Sequence, residues 1–581
     1  MITNLPKQFP LGKLESFTMG DVEPESDSLL DRTLGICMIH PVTEFLKGKK
    51  SLIVGSRGTG KTTIFKLVSK GKLKFIKKKN CRDIILAIDE SLDYVEIKGR
   101  VFELFDTPIK DETVKCRYFW EIYILFRILI KIEEEFSNLS EVLKGYLKHF
   151  KIMLGYEGQE KSIKEMMSRL KLTGGLKFAQ SYVGPTVTPQ LSLESGDSSV
   201  ASENQKGVNF NLEACKKDTN SFLESNKVRF FVLLDNLDEF VVKEAYVYQK
   251  LFIQGLLECE RSYICYGNIK LKLFLRSDLF DRLDFESLGA EKVLSRKINL
   301  LWNDSDIRQL IAQRVILNYL DIFNLGYIEL RIDKEKLYLD ELSALEIERK
   351  SKNKIDSKFK KFIFRVFFLE NKHLKKLINR LVGKFRKDDA RHGRHTNFSD
   401  EINKEIITSI FPRVIKHRTS AGKNEDCDFL EFCSSHLCLS KRLLTPRIVI
   451  MFIEKCLECT RNYYKDNPDV KVVALDERNE YPLVTKRCIS FSYDQFREGL
   501  LDSFYLNIPN LWKQFFSSLR AKSSAKFKFQ FKELEKILRF NDTEQLRQFI
   551  AFLCHMGVLE NTNPSDILSE RNYVLPIVLR K

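Results

Sequence analysis

Four short, mostly apolar runs, at 51–54, 84–88, 228–234 and 269–275, stand out from a chain otherwise patterned with a helical period. Continuous rather than alternating apolarity, with helical patterns between the runs, predicts parallel strands buried on both faces of an α/β sheet. A fifth strand is expected at 297–301. In the fourth run Lys270 and Lys272 alternate with Ile269, Leu271 and Leu273, which points to a position nearer the sheet edge. About 140 residues separate the second and third runs, too many for one crossover. Within them, 118–135 and 139–153 have amphipathic helical patterns, and the Ser/Gly/Pro/Thr-rich segment 181–207 reads as a flexible loop.

Beyond Trp302 the pattern turns almost entirely helical and predicts a helical second domain. The last stretch changes again: a helix at 531–540, Asn541, Asp542 and Thr543 as cap candidates, a second helix to about Met556 with Gly557 as its stop, then apolar pieces at 558–559 and 573–579. Helix, turn, helix and two short strands suit a small winged-helix-like module, or equally a terminal packing subdomain.

The chain has 581 residues, 43% hydrophobic and 30% charged, which excludes a disordered tail and allows several buried cores. Its net charge of +17 invites a nucleic-acid or acidic-surface reading, but the charge is not spread evenly. Residues 47–82 carry thirteen Lys/Arg and no acid, and residues 349–394 carry seventeen Lys/Arg against four acids, so each block is +13 and the remainder is mildly acidic. The first residues lack the apolar core of a signal peptide, no apolar run reaches 18 residues, and the thirteen cysteines are scattered; a cytoplasmic protein with no membrane partner is expected.

Residues 55–62, GSRGTGKT, satisfy G-x-x-x-x-G-K-[ST], with a strand pattern before them and a helix pattern after. Gly55, Gly58 and Gly60 let the backbone curl so that the N–H groups of Ser56, Arg57, Thr59 and their neighbours face a phosphate at a helix N-terminus. Lys61 is placed to reach the β- and γ-phosphates, the Thr62 hydroxyl to ligate Mg²⁺, and Thr63 to continue the nucleotide contacts. A Gly-rich βα turn with a surface lysine is the plain alternative. The run 230–234 ends in Asp235, the candidate second metal ligand, at the carboxyl end of a strand where ligands gather in open α/β sheets. Asp238 and Glu239 follow, either to polarise water or as acids favoured at a helix N-terminus. Arg276, after the next strand, is a candidate for sensing the γ-phosphate, and Arg447, which opens an apolar helix, for coupling phosphate state to domain position.

Taken together, these motifs resemble the AAA+ superfamily, in the branch of STAND-type, KAP-type and origin-recognition-type ATPases, and bacterial P-loop ATPases met in phage-defence neighbourhoods. The residues that carry the resemblance are GSRGTGKT at 55–62 (Walker A), LLDNLDE at 233–239 (Walker B), FLRSDL at 274–279 (sensor 1), LWNDSDIRQLIAQR at 301–314 and TPR at 445–447 (sensor 2-like). The resemblance implies ATP and Mg²⁺ as cofactors, ATP hydrolysis with a switch or remodelling role, a helical lid, and assembly as a homo-oligomer or with a partner effector, in phage defence. It implies a P-loop core over 47–117 and 227–302, after an N-terminal lead-in over 1–46, with a helical insertion over 118–226, a lid over 303–525 and a winged-helix-like module over 526–581. The sequence departs from many relatives at Asn236, which stands where they carry an acid that activates water; an amide cannot accept the proton. Hydrolysis then depends on Asp238 or Glu239, or the chain is a nucleotide-gated interaction module with negligible turnover.

Other constellations change less. Asn371, Lys372, His373 and Leu374 miss the guanine-reading N-K-x-D pattern at the last position, which favours adenine. Cys427, Cys433, His436 and Cys438, with Cys456 and Cys459, are zinc-type ligands, but the last two fall in an apolar helix and read as core. The block at 349–394 interleaves Phe359, Phe362, Phe364, Phe367, Phe368 and Phe385 with its cations, which fits either a nucleic-acid contact or an amphipathic lid helix.

Overall fold

The computed structural model describes residues 8–21, 23–32, 35–78, 80–89, 111–153, 176–181, 188–193, 210–237, 246–281, 283, 289–323, 328–332, 335–339, 400–418, 424–438, 444–474, 482–508, 510–522, 528–540, 542–555, 558–562 and 571–579. The chain forms two compact units, His40–Leu301, and Met1–Ile39 with Trp302–Lys581.

In the first unit five strands, β1 Leu52–Gly55, β2 Arg82–Ile88, β3 Val228–Leu234, β4 Ile269–Arg276 and β5 Lys297–Asn299, make one parallel sheet. Their spatial order is β2-β3-β4-β1-β5. The edge position expected for 269–275 is therefore wrong, since β4 lies between β3 and β1. Lys272 is 1% exposed yet satisfied: its Nζ donates to the carbonyl oxygen of Gly48 at 2.8 Å and to that of Lys50. The rings of Phe45, Phe75 and Phe231 face the same ammonium.

Helices α1 His40–Leu46, α2 Lys61–Ser69, α3 Glu112–Glu135, α4 Glu141–Met153, α5 Leu212–Ser225, α6 Tyr246–Tyr263 and α7 Ala290–Arg296 accompany the sheet. Helix α3 is capped by Asp111, whose carboxylate accepts from the Thr113 N–H at 2.8 Å, and is buried around most of its middle, where the one acid, Glu121, is ion-paired with Lys216 at 3.1 Å. Such a helix must be covered on all sides. Trp120, Phe126 and Leu129 share one core with Leu52, Ile84, Phe230 and Leu273, so the helices between β2 and β3 help to build the sheet's own core. The flexible loop expected at 181–207 is corrected in part. Thr188–Leu193 pairs antiparallel with Leu176–Ser181, matching Leu191 to Phe178 and Leu193 to Leu176. Residues 182–187 and 194–209 lie outside the described residues.

The second unit contains α8 Asp304–Ile322, α9 Asp400–Thr408, α10 Phe429–His436, α11 Pro446–Lys465, α12 Lys486–Asn507, α13 Asn510–Lys522, α14 Phe531–Leu538 and α15 Thr543–His555. It holds more strand than the almost entirely helical pattern led one to expect. Ile328–Ile332 pairs with Glu335–Leu339, and Ile415–Arg418 with Asn424–Cys427, both antiparallel. In the first hairpin Ile328 meets Leu339 and Leu330 meets Leu337, a period-2 pattern too short to stand out among helical ones. Lys528–Gln530, Asn572–Val574 and Glu560–Asn561 form a three-stranded antiparallel sheet beside α14 and α15. The basic block 349–394 lies outside the described residues.

The expected lead-in divides between the units. Residues 40–46 form α1 with the sheet, whereas the segment before Ile39 packs into the helical unit. There Gln8–Pro10 pairs with Val472–Ala474, the Phe17 ring meets Tyr319 edge-on, and Asp27 forms a buried ion pair with Arg314 at 2.7 Å.

Candidate functional site

All four residues of β1 are buried, so the strand is fixed on both faces before it releases the loop at 56–60. A Cβ at Gly55 would come within 2.5 Å of Thr59 Oγ1 and 3.2 Å of Leu300 Cβ, so only glycine fits the turn. Gly58 and Gly60 have φ of +80° and +93°, the left-handed region that glycine enters without steric cost. Thr59 closes the loop by donating from Oγ1 to the Ser56 carbonyl at 2.9 Å. Gly60 caps α2, and Lys61, its first residue, donates from Nζ to the carbonyls of Gly55 and Ser56, both at 3.0 Å. A curled loop running into a helix N-terminus aims backbone N–H groups and the positive end of the helix dipole at one place, the requirement for an anion. Ser56, Lys61, Thr62 and Thr63 are half-buried there, and Arg57 is exposed.

The parallel sheet brings other expected residues to the same edge. Arg276, the last residue of β4, stands opposite Gly55 in the register. Asp235 follows β3, 3% exposed, its N–H bonded to the Ile88 carbonyl at 3.2 Å. At a strand spacing of about 5 Å, the ends of β4 and β3 lie one and two steps from the phosphate loop. Asp238 and Glu239 lie outside the described residues. Arg447, half-buried in the first turn of α11, belongs to the second unit.

Asp89, which the motifs did not single out, joins this edge beside Asn236. Asp89 follows the last residue of β2, its carboxylate 22% exposed; it accepts from the Asn236 side-chain amide and is ion-paired with Lys66 of α2. Asn236 has φ of +57°, a left-handed backbone that asparagine tolerates better than most residues other than glycine. The signal for Asp89, an acid directly after an apolar strand, is the one that marks Asp235.

The oxygen donors on this edge fit Mg²⁺. The Thr62 hydroxyl in the first turn of α2 and the buried Asp235 carboxylate are hard ligands, and Mg²⁺ takes few protein ligands, keeping waters and phosphate oxygens for the rest. Among the described residues no group of three or more His, Cys, Asp or Glu is placed to hold a metal ion. Cys433 and Cys456 are buried in the core of the helical unit, where desolvation pushes their thiols well up, and His436 stacks on Phe432. No described helix is long and apolar enough to cross a membrane.

No protein-family model matches the chain, and no curated protein matches it. Among solved structures, the ORC1 protein of Aeropyrum pernix, determined in complex with DNA, is similar over 95% of this chain and 94% of that one, at 9% identity and a TM-score of 0.32. That likeness is too slight to bear on fold or function.

Proposed function

We propose that the chain is an ATP-binding, Mg²⁺-dependent P-loop ATPase of the AAA+/STAND kind, acting as a nucleotide-driven switch. The observation that carries this reading is the arrival of the phosphate loop, Arg276 and Asp235 at one edge of one parallel sheet, on β1, β4 and β3. The loop N–H groups and Lys61 bind the phosphates, and Arg276 meets the charge that grows on the transferred phosphoryl group. Thr62 and Asp235 would hold Mg²⁺, which supplies charge neutralisation on the phosphate oxygens when bound. Asp238 and Glu239 are proposed to orient water, and Arg447 to carry the nucleotide state into the helical unit. Assembly as a homo-oligomer or with a partner effector belongs to the same proposal, while phage defence rests on the family resemblance alone.

Single-turnover hydrolysis of radiolabelled ATP by the full chain, with Mg²⁺ and with EDTA, tests the reading. Phosphate release that EDTA abolishes is expected. ATP binding without release would favour the nucleotide-gated module, and no binding would overturn both.

A second reading, ATP-regulated DNA binding, is favoured by the C-terminal module. Strand Lys528–Gln530, α14, α15 and two strands follow one another there, in the order of a winged helix, and α15 exposes Thr543, Glu544, Gln545, Arg547 and Gln548, with Arg547 ion-paired to Glu544 at 3.4 Å. Amide and guanidinium groups on such a face suit base edges. Loss of duplex-DNA affinity in Arg547→Ala and Gln548→Ala would support it; unchanged affinity would contradict it. Residues 349–394 are the other proposed nucleic-acid contact.

A further inference from the structure

We infer that Asp89, at the end of the strand next to Asn236, is the carboxylate that takes the proton from the attacking water. This rests on the ATPase reading. The residue after Asp235 is Asn236, whose amide has no basic lone pair to offer. Its Nδ2 instead donates to Asp89 Oδ1, across from β3 to the end of β2. The Asp235 N–H bonds to the Ile88 carbonyl, so Asp89 and Asn236 each continue from a residue that is already tied to the other strand.

Three features support this role for the carboxylate. First, Asp89 is held by two donors of different elements: Asn236, and Lys66 in the second turn of α2. Lys66 belongs to the helix that the phosphate loop opens, so its ion pair ties the end of β2 to that helix. Second, each oxygen of an ionised carboxylate has about two acceptor directions, so an oxygen with one partner can still accept from a water. Third, Asn236 keeps a left-handed backbone while making this bond, the kind of local strain that gathers at functional sites.

The step balances without any further reactant. As the water oxygen bonds to the γ-phosphorus, its proton passes to Asp89, the bond from phosphorus to the β,γ-bridging oxygen breaks, and ADP leaves with the electron pair. Asp89 then returns the proton to phosphate or solvent. Asn236 and Lys66 act as positioning residues.

The experiment compares the full-length wild type, Asp89→Asn, and Asp89→Asn with Asn236→Asp, measuring both single-turnover hydrolysis and equilibrium binding of a fluorescent ATP analogue with Mg²⁺. Asparagine at 89 can still accept from Asn236 but loses the ion pair with Lys66, so the binding measurement separates loss of the base from loss of structure. The expected result is nucleotide affinity within a few-fold of wild type and hydrolysis slower by about a hundredfold or more in Asp89→Asn. In the exchanged double variant, which returns a carboxylate to the same hydrogen bond, at least about tenfold is recovered. Wild-type turnover in Asp89→Asn would overturn the assignment. So would parallel loss of binding and turnover in both variants, which marks Asp89 as a structural support. If the variants fail to fold, Asp89→Glu decides: retained turnover supports a carboxylate base, and loss of turnover with binding intact contradicts it. A wild type that binds but never hydrolyses refutes the ATPase reading itself, before Asp89 is changed.

Discussion

Arg276 lies directly across the parallel register from Gly55, so the last residue of β4 shares a level with the first glycine of the phosphate loop. Because β4 also separates β1 from β3, Arg276 stands between the loop and Asp235 at the carboxyl edge of the sheet.

That placement predicts a catalytic rather than a binding defect on truncation. Arg276→Ala is expected to lower the hydrolysis rate about a hundredfold, as for loss of one preorganised donor to a developing charge, while ATP affinity changes little. Steady-state phosphate release beside an equilibrium binding curve checks it; an unchanged rate would count against Arg276.

Asp235 has a different signature. Asp235→Asn should leave ATP binding in EDTA intact but weaken the Mg²⁺ dependence of that binding at least about tenfold. Titration of Mg²⁺ at fixed ATP reads this directly, and an identical Mg²⁺ curve in the variant would exclude Asp235 as a ligand.

The strands were legible because parallel strands covered on both faces are written as mostly apolar runs: 84–88 lies within Arg82–Ile88, and 228–234, broken only by Arg229, coincides with Val228–Leu234. The strand-loop-helix turn at 55–62 was legible because its glycine spacing is a backbone requirement. The interior place of β4 was not. Lys272 is satisfied by the carbonyls of Gly48 and Lys50 and by three distant rings, partners that no local pattern reveals. The pairing of the first strand escaped for a similar reason: Gln8–Pro10 finds its partner at Val472–Ala474, over 450 residues away. Asp89 was missed although its own signal was present, because its bonds to Asn236 and Lys66 exist only once β2, β3 and α2 are adjacent.

Lys272 also sets a pH dependence. Desolvation lowers its pKa from 10.5 to about 7. Between those values the unfolded chain binds a proton that the folded chain does not, so this group makes stability rise with pH across that window, on the order of 2–4 kcal/mol. Lys272→Met should remove that rise while also costing stability from the stranded Gly48 and Lys50 carbonyls. Thermal unfolding of wild type and variant from pH 6 to 10 checks the slope; parallel curves would contradict it.

The buried Asp27–Arg314 pair ties the N-terminal segment to α8, with side chains 2% and 4% exposed. Arg314→Met leaves a buried carboxylate without its counter-charge and should cost about 3–5 kcal/mol in the helical unit. Chemical unfolding followed alongside limited proteolysis of residues 8–32 tests this, the expected result being early cleavage there.

The central claim is that the loop at 55–62 binds the phosphates of ATP, and the most direct measurement is a titration of the full chain with a fluorescent ATP analogue in Mg²⁺, wild type against Lys61→Met. Lys61 donates to the Gly55 and Ser56 carbonyls, outside the apolar core, so the variant should fold and melt near wild type. Saturable binding by the wild type, weakened about a hundredfold or more in the variant, is the predicted result. Equal binding by both chains, or none by the wild type, would contradict the account.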